Sequence, residues 1–159
     1  MQLDTSRFGV LDIPEDSLLV FSSGLIGFSD YTKFVLLEGS AGLSYQWLQS
    51  VDDGNLAFVV VEPGLIKPNY EIRIQDDALR EIAYQAGDTI GVLAIVTIPR
   101  GHPEKATVNL QGPLVLNVTK RKGKQIILNE SYPLRYPLRS SQEEAVHNPA
   151  EPSPAAVHL

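Results

Sequence analysis

Pro113-Leu114-Val115-Leu116-Asn117-Val118-Thr119, then Lys120-Arg121-Lys122-Gly123-Lys124, then Gln125-Ile126-Ile127-Leu128-Asn129, is the stretch on which the fold class turns. Leu114, Leu116 and Val118 alternate with Val115, Asn117 and Thr119, the period of two that turns one strand face inward. The basic run reverses the chain into Gln125–Asn129, which predicts a β-hairpin with Gly123 where a positive φ is needed. The same alternating, β-branched signal recurs outward from this hairpin. It predicts strands at Phe8–Ile13, Leu18–Phe21, Lys33–Leu37, Leu43–Gln49, Leu56–Glu62, Tyr70–Ile74, Ile90–Ile98 and Thr107–Leu110, as well as Pro113–Thr119 and Gln125–Asn129. Turn residues punctuate them at Pro14-Glu15-Asp16, Asp52-Asp53-Gly54-Asn55, Pro63-Gly64 and Gly101-His102-Pro103. One segment departs from the pattern. Leu79, Ile82, Ala83 and Ala86 follow Asp76-Asp77 at helical spacing, predicting one amphipathic helix with an Asp N-cap and Gly87 just past its end. Many short strands and a single helix predict a mainly β chain, a small antiparallel β-barrel or sandwich.

The 159 residues, 43% of them hydrophobic, suffice for one domain with its own core. The expected folded domain is Met1–Leu138. Arg139–Leu159 carries Pro149, Pro152 and Pro154 with almost no large apolar side chain, and is expected to be a flexible tail. No apolar run approaches the ~20 residues that span a bilayer, and no export signal opens the chain, so the expected compartment is the cytoplasm.

Catalytic signatures are missing. The chain has no cysteine, which removes disulfide, thiolate and cysteine–zinc chemistry. His147 and His158 lie in the tail, and His102 sits in a Gly-His-Pro turn with no partner at triad or metal spacing. Asp52-Asp53, Asp76-Asp77 and Glu143-Glu144 are sequence neighbours, which on a strand or helix do not face one another as an acid–base pair. Gly123-Lys124-Gln125 lacks the remainder of a phosphate loop, and Gly24-Leu25-Ile26-Gly27 leads into no helix. No enzyme, metal or cofactor is expected.

Charge points to protein partners. The net charge is −6, and through Thr119 seven Lys or Arg stand against fifteen Asp or Glu. Such a body repels phosphate backbones and suits a basic or apolar protein surface. The alternative is a nucleic-acid-binding barrel that uses Lys120–Lys124, as oligonucleotide-binding folds use their loops.

Three blocks fit neither catalysis nor simple alternation: Phe21-Ser22-Ser23-Gly24-Leu25-Ile26-Gly27-Phe28, Leu48-Gln49-Ser50, and Asn109-Leu110-Gln111-Gly112-Pro113 running on to Asn117. In order and spacing, over about Phe8–Pro137, they resemble the flagellar assembly factor FliW family. Ile26 stands where that family more often has proline. The resemblance implies a non-enzymatic, β-barrel-like cytoplasmic protein that binds newly made flagellin. It further implies binding to the translational repressor CsrA, a chaperone-like partner switch that regulates flagellin synthesis, without direct nucleic-acid or membrane contact and as a monomer. Acidic charge suits a repressor that must present Lys and Arg to RNA, whereas an amphipathic flagellin helix wants an apolar groove. The candidate protein-binding residues are Phe28, the aromatics Tyr45 and Trp47, the polar strand-end groups Gln49, Ser50 and Asn109, and the corner residues Leu110 and Pro113, expected at an exposed bend. Asp52, Asp53, Glu71, Asp76 and Asp77 complete the set as acidic groups facing the repressor.

Overall fold

The computed structural model describes residues 1–39 and 45–138. The expected tail and the first two residues of the strand predicted at Leu43–Gln49 lie outside the described residues. In chain order the elements are β1 (Gln2–Thr5), β2 (Gly9–Asp12), β3 (Leu19–Val20), β4 (Lys33–Glu38), β5 (Tyr45–Ser50), β6 (Ala57–Val61), α1 (Pro63–Ile66), α2 (Asp76–Glu81), β7 (Ile90–Thr97), β8 (Thr107–Val108), β9 (Leu114–Asn117), β10 (Lys122–Gln125) and β11 (Tyr136–Pro137).

β7-β6-β5-β4-β3-β10-β9 pair in that order, and β9 returns to β7 with Leu93 opposite Leu114 and Ile90 opposite Asn117. The expected β-barrel is therefore a closed seven-stranded one. Closure matters physically because it leaves no barrel strand with an unpaired edge. The weakest seam is the parallel contact of β3 with β10, a single register pair, Val20 with Lys122, supported by the Val20 N–H donating to the Arg121 carbonyl.

Strand alternation sorts two cores. Phe34, Leu48, Phe58, Val60, Leu93, Ile95, Leu114 and Leu116 fill the barrel with Phe21 and Leu25. Trp47, Val59, Val61, Ala94 and Val96 point the other way, under a second layer containing Val108, Leu110 and Leu138. β6 is buried at all five positions because it is covered on both faces, which explains its unbroken apolar run. β1 and β2 form a separate hairpin over Val35, through Leu3 and Ile13.

Several local expectations are corrected. Tyr70–Ile74 joins no ladder. It is a strap held by side chains: the Tyr70 hydroxyl donates to the Leu110 carbonyl at 2.6 Å, and the Tyr132 hydroxyl brackets the backbone of Glu71. β10 starts three residues earlier than predicted, and Arg121 (φ +58°), not Gly123, takes the left-handed position in the turn. The helix ends at Glu81, with Gln75 rather than an Asp at its N-cap. Ala83 (φ +57°) is its left-handed C′ residue: Ala83 N–H donates to Arg80 O and Tyr84 N–H to Leu79 O, a paired capping arrangement usually built on glycine. Tertiary contacts hold it there, since Asn117 Nδ2 donates to Ile82 O and Lys120 Nζ to Ala83 O. β1, β11 and the short α1 carried too few residues to stand out in the sequence.

Asp88 is the hub of these contacts of Asn117 and Lys120. Its Oδ2 accepts from Lys120 Nζ at 2.7 Å, Asn117 Nδ2 at 2.9 Å and the Gln85 N–H at 2.9 Å. The Lys120 hydrogen bond first, then Asn117 and the Gln85 amide, lower its pKa to about 2. A depressed carboxylate stabilises the fold above its ordinary pKa, and that contribution disappears as pH falls through the folded value. Asp88→Asn is therefore expected to lower the Tm at neutral pH. The gap to the unsubstituted protein should narrow from about pH 4 towards pH 2, as checked by thermal melts across pH. A gap independent of pH would mean that the carboxylate charge is not what holds α2.

Candidate protein-binding surface

All three sequence blocks meet at the end of the barrel where β4, β6 and β9 begin. The first block forms the β3–β4 loop. Gly24 there has φ +68°, and a Cβ would lie 2.6 Å from Ser29 Cα, so both conformation and space require glycine. Phe28 N–H donates to Leu25 O at 2.7 Å, closing a two-residue turn with Gly27 at φ +86°. A positive φ at the third residue is the type II pattern, whose second position favours proline. Ile26 occupies that second position, and its N–H donates to Gln125 Oε1 at 2.8 Å, a bond proline cannot make. The side chain of Ile26 is left 59% exposed.

Gln125 also reaches the third block, Nε2 donating to the Gly112 carbonyl at 2.9 Å. That block is a corner inserted into the partner of β7. Asn109 N–H still donates to Ile95 O, yet Leu93 pairs with Leu114, so a two-residue step on β7 faces a five-residue step across from it. Asn109 Oδ1 accepts from the Gln111 and Gly112 amides, and Ile126 and Leu128 donate to Pro113 O and Gln111 O. With its polar groups satisfied, the corner is a rigid platform. Ile127, within 3.5 Å of a Cβ built on Gly112, stands 58% exposed on it.

The second block supports the same end from another side. Gln49 and Ser50 are fully buried; Gln49 Nε2 donates to Ser50, Gly54 and Leu56 carbonyls, and Ser50 Oγ accepts from the Asp52 and Asp53 amides. Asp52 Oδ2 then accepts from the Thr32 and Lys33 amides, which joins this turn to the first block's loop. Asp53 accepts from the Asn55 N–H. Glu81 ties α2 to the same loop: its carboxylate accepts from Ser22 and Ser23 hydroxyls and pairs with Lys124 at 3.2 Å. The Ser23 hydrogen bond, with Lys124 beside it, lowers its pKa against the opposing effect of burial. Asp77 lines a groove of about 300 Å³ between residues 73–78 and 124–130, beside Ile127, and Asp76 is exposed at the start of the same helix.

Other candidates lie inside. Trp47 and Tyr45 are buried, with Phe8 edge-on to the indole at 5.7 Å and the Arg7 guanidinium 4.5 Å above it. Leu110 and Pro113 are also buried, so the corner presents backbone and its neighbours rather than those side chains. Phe28 is half-buried against Phe58, and Glu71 is exposed on the strap. The residues missed were Ile26, Gln125 and Ile127; only the position of Ile26 inside the first block gave any hint of them. The basic run is mostly spent internally: Lys120 pairs with Asp88, Lys124 with Glu81, and Arg121 donates to Ser17 O, leaving Lys122 exposed. Among the described residues no cluster of potential metal ligands and no helix able to cross a membrane is present.

The family model described as FliW protein matches residues 2–138, the span that contains the barrel and all three blocks. The chain belongs to the FliW family. Proteins named flagellar assembly factor FliW are 38% identical to it in Thermosipho africanus, over 84% of this chain and 92% of that protein, and 35% identical in Syntrophus aciditrophicus, over 90% of each. A crystal structure of the flagellar assembly factor FliW superposes with a TM-score of 0.81 at 33% identity, covering 88% of this chain and 98% of that one. This FliW chain therefore has the barrel of its family, and the three blocks that carried the resemblance are what shape one end of it.

Proposed function

We propose that this FliW-family chain is a cytoplasmic binding protein without turnover that captures flagellin and, alternately, the translational repressor CsrA, so that free flagellin sets flagellin synthesis. The observation supporting this reading is the convergence of the three blocks on one barrel end, where a scaffold tied by side-chain-to-backbone hydrogen bonds leaves Ile26 and Ile127 open to solvent. Isolated isoleucines are ordinary on a surface, but two linked by one glutamine on a stiff support suit the apolar stripe of an amphipathic helix. The acidic body supplies the second affinity, for a repressor that holds RNA through cations.

Calorimetric titration with purified flagellin and purified CsrA tests it. The unsubstituted chain is expected to bind each, and each to displace the other. Ile127→Ser is expected to weaken flagellin about tenfold, the scale of one interface anchor, with an unchanged Tm. Binding of neither partner at micromolar concentration would sink the reading.

A further inference from the structure

Among the described residues the opposite mouth of the barrel, where β7 begins and β9 ends, is open. A cleft of about 490 Å³ lies there, walled by Leu36, Ile90, Val92, Leu116 and Val118 and roofed by the strap. Two features keep it unfilled. Gly91 contributes no side chain, and a Cβ built on Gly64 of α1 meets nothing within 4 Å. Val118 is 40% exposed, so the apolar wall continues to the surface.

The rim carries one sign of charge. Among the described residues Glu62 is the one charged residue that lines the cleft, and it is exposed on an N-cap whose backbone is extended. Phe34 and Leu36 face the barrel interior, and alternation puts Glu38, the last residue of β4, on that same face opposite Gln46, which lines the cleft. Extension past Val60 aligns Glu62 likewise, so β4 and β6 flank Gln46 with two carboxylates. Neither makes an ion pair among the described residues. Apolar walls beneath a doubly acidic rim complement a segment that presents one or two apolar side chains next to lysine or arginine.

We propose that this cleft is a second docking site, which seats a basic, apolar segment of the partner protein; resting on the pair of partners proposed above, that segment belongs to the RNA-binding repressor and not to flagellin. The two partners then occupy opposite ends of one barrel, and each displaces the other through the strap between those ends rather than by overlap. Tyr70 touches both, since its ring lines the cleft while its hydroxyl holds the Leu110 carbonyl of the corner.

The test uses the full chain and three substitutions. Gly64→Phe adds a ring at a residue lining the cleft without removing any contact, Glu62→Gln removes a rim charge, and Asp16→Asn removes an exposed carboxylate elsewhere. A labelled peptide of alternating leucine and lysine and purified CsrA serve as probes, with flagellin as the reference ligand. Expected are a loss of about tenfold for peptide and CsrA with Gly64→Phe, and a smaller, salt-sensitive loss with Glu62→Gln. Asp16→Asn and all flagellin affinities should stay within about twofold. Unchanged peptide and CsrA binding in Gly64→Phe, or equal losses in Glu62→Gln and Asp16→Asn, would overturn the docking site while leaving the partner assignment intact. If the unsubstituted chain binds neither CsrA nor flagellin, the partner assignment falls, and the peptide alone decides the cleft.

Discussion

Trp47→Ala is expected to destabilise the protein by about 3–5 kcal/mol, the cost of emptying a large buried aromatic site. The indole is 4% exposed, packed edge-on by Phe8 and Tyr45 and covered by the Arg7 guanidinium, so its removal leaves a hole that three neighbours line. Against a typical domain stability of about 5–15 kcal/mol, this is a large fraction of the whole. In a thermal melt the midpoint should drop by roughly 10 °C or more. The functional consequence separates two roles that look alike in a sequence. An interface anchor would lose affinity at constant Tm. A core residue loses Tm, and binding of every partner declines together as the folded fraction falls. A Trp47→Ala chain that melts normally but has lost one partner selectively would show that the indole reaches that partner after all.

The second large effect is predicted at Gly123. A Cβ there would lie 2.6 Å from the ring edge of Phe21 and 2.8 Å from a methyl of Leu116. Phe21 cannot retreat, because it is fully buried and braced edge-on by Phe34 with ring centres 5.5 Å apart. Gly123→Ala is therefore an overpacking substitution, expected to cost about 1–3 kcal/mol, and Gly123→Val more. It strikes the seam where β10 meets β3 through one register pair, so the loss should appear as early opening of the barrel. Gly64→Ala is the matching control. Nothing lies within 4 Å of its added methyl and it sits in α1, so it should be neutral or slightly stabilising. Equal melting temperatures for Gly123→Ala and the unsubstituted protein, measured by circular dichroism, would mean that the seam yields and the barrel is looser than its packing implies.

Gly123 also illustrates how far the sequence was legible. A glycine after a basic run suggests a turn with positive φ. The chain instead reverses two residues earlier on Arg121, and glycine is needed inside β10 because the ring of Phe21, at the start of the β3–β4 loop about a hundred residues away, occupies the place of its side chain. Local pattern carries no information about such a neighbour. Tyr70–Ile74 failed for the related reason that alternating apolar residues also suit an extended strap anchored by tyrosine hydroxyls. α2 ended early because Asn117 and Lys120 satisfy its last carbonyls, a condition that no feature between Asp76 and Gly87 announces.

The candidate site divides along the same line. Asn109, Gln49 and Ser50 were recognisable as special because polar side chains at strand ends commonly bond turn backbones, and here they do. The exposed pair Ile26 and Ile127 was not recognisable, since residue type alone does not separate them from the buried Ile13, Ile82 and Ile95. Burial is a property of what packs opposite, and Gln125, two positions before Ile127, accepts from the Ile26 amide across about a hundred positions of chain.

By itself the order of residues determined the β character, the absence of cysteine chemistry, the acidic balance and, through its three spaced blocks, the family. These are consequences of side-chain period, composition and short-range backbone needs, all of which are local. Tertiary structure alone decided that the sheet closes on itself, that the prominent aromatics are core, that Lys120 and Lys124 of the basic run are paired from within, and that one barrel end is a stiff platform while the other is an acidic-rimmed cleft. Each of those depends on which distant groups share space, and contact between distant groups is settled only when the strands pair and the side chains pack.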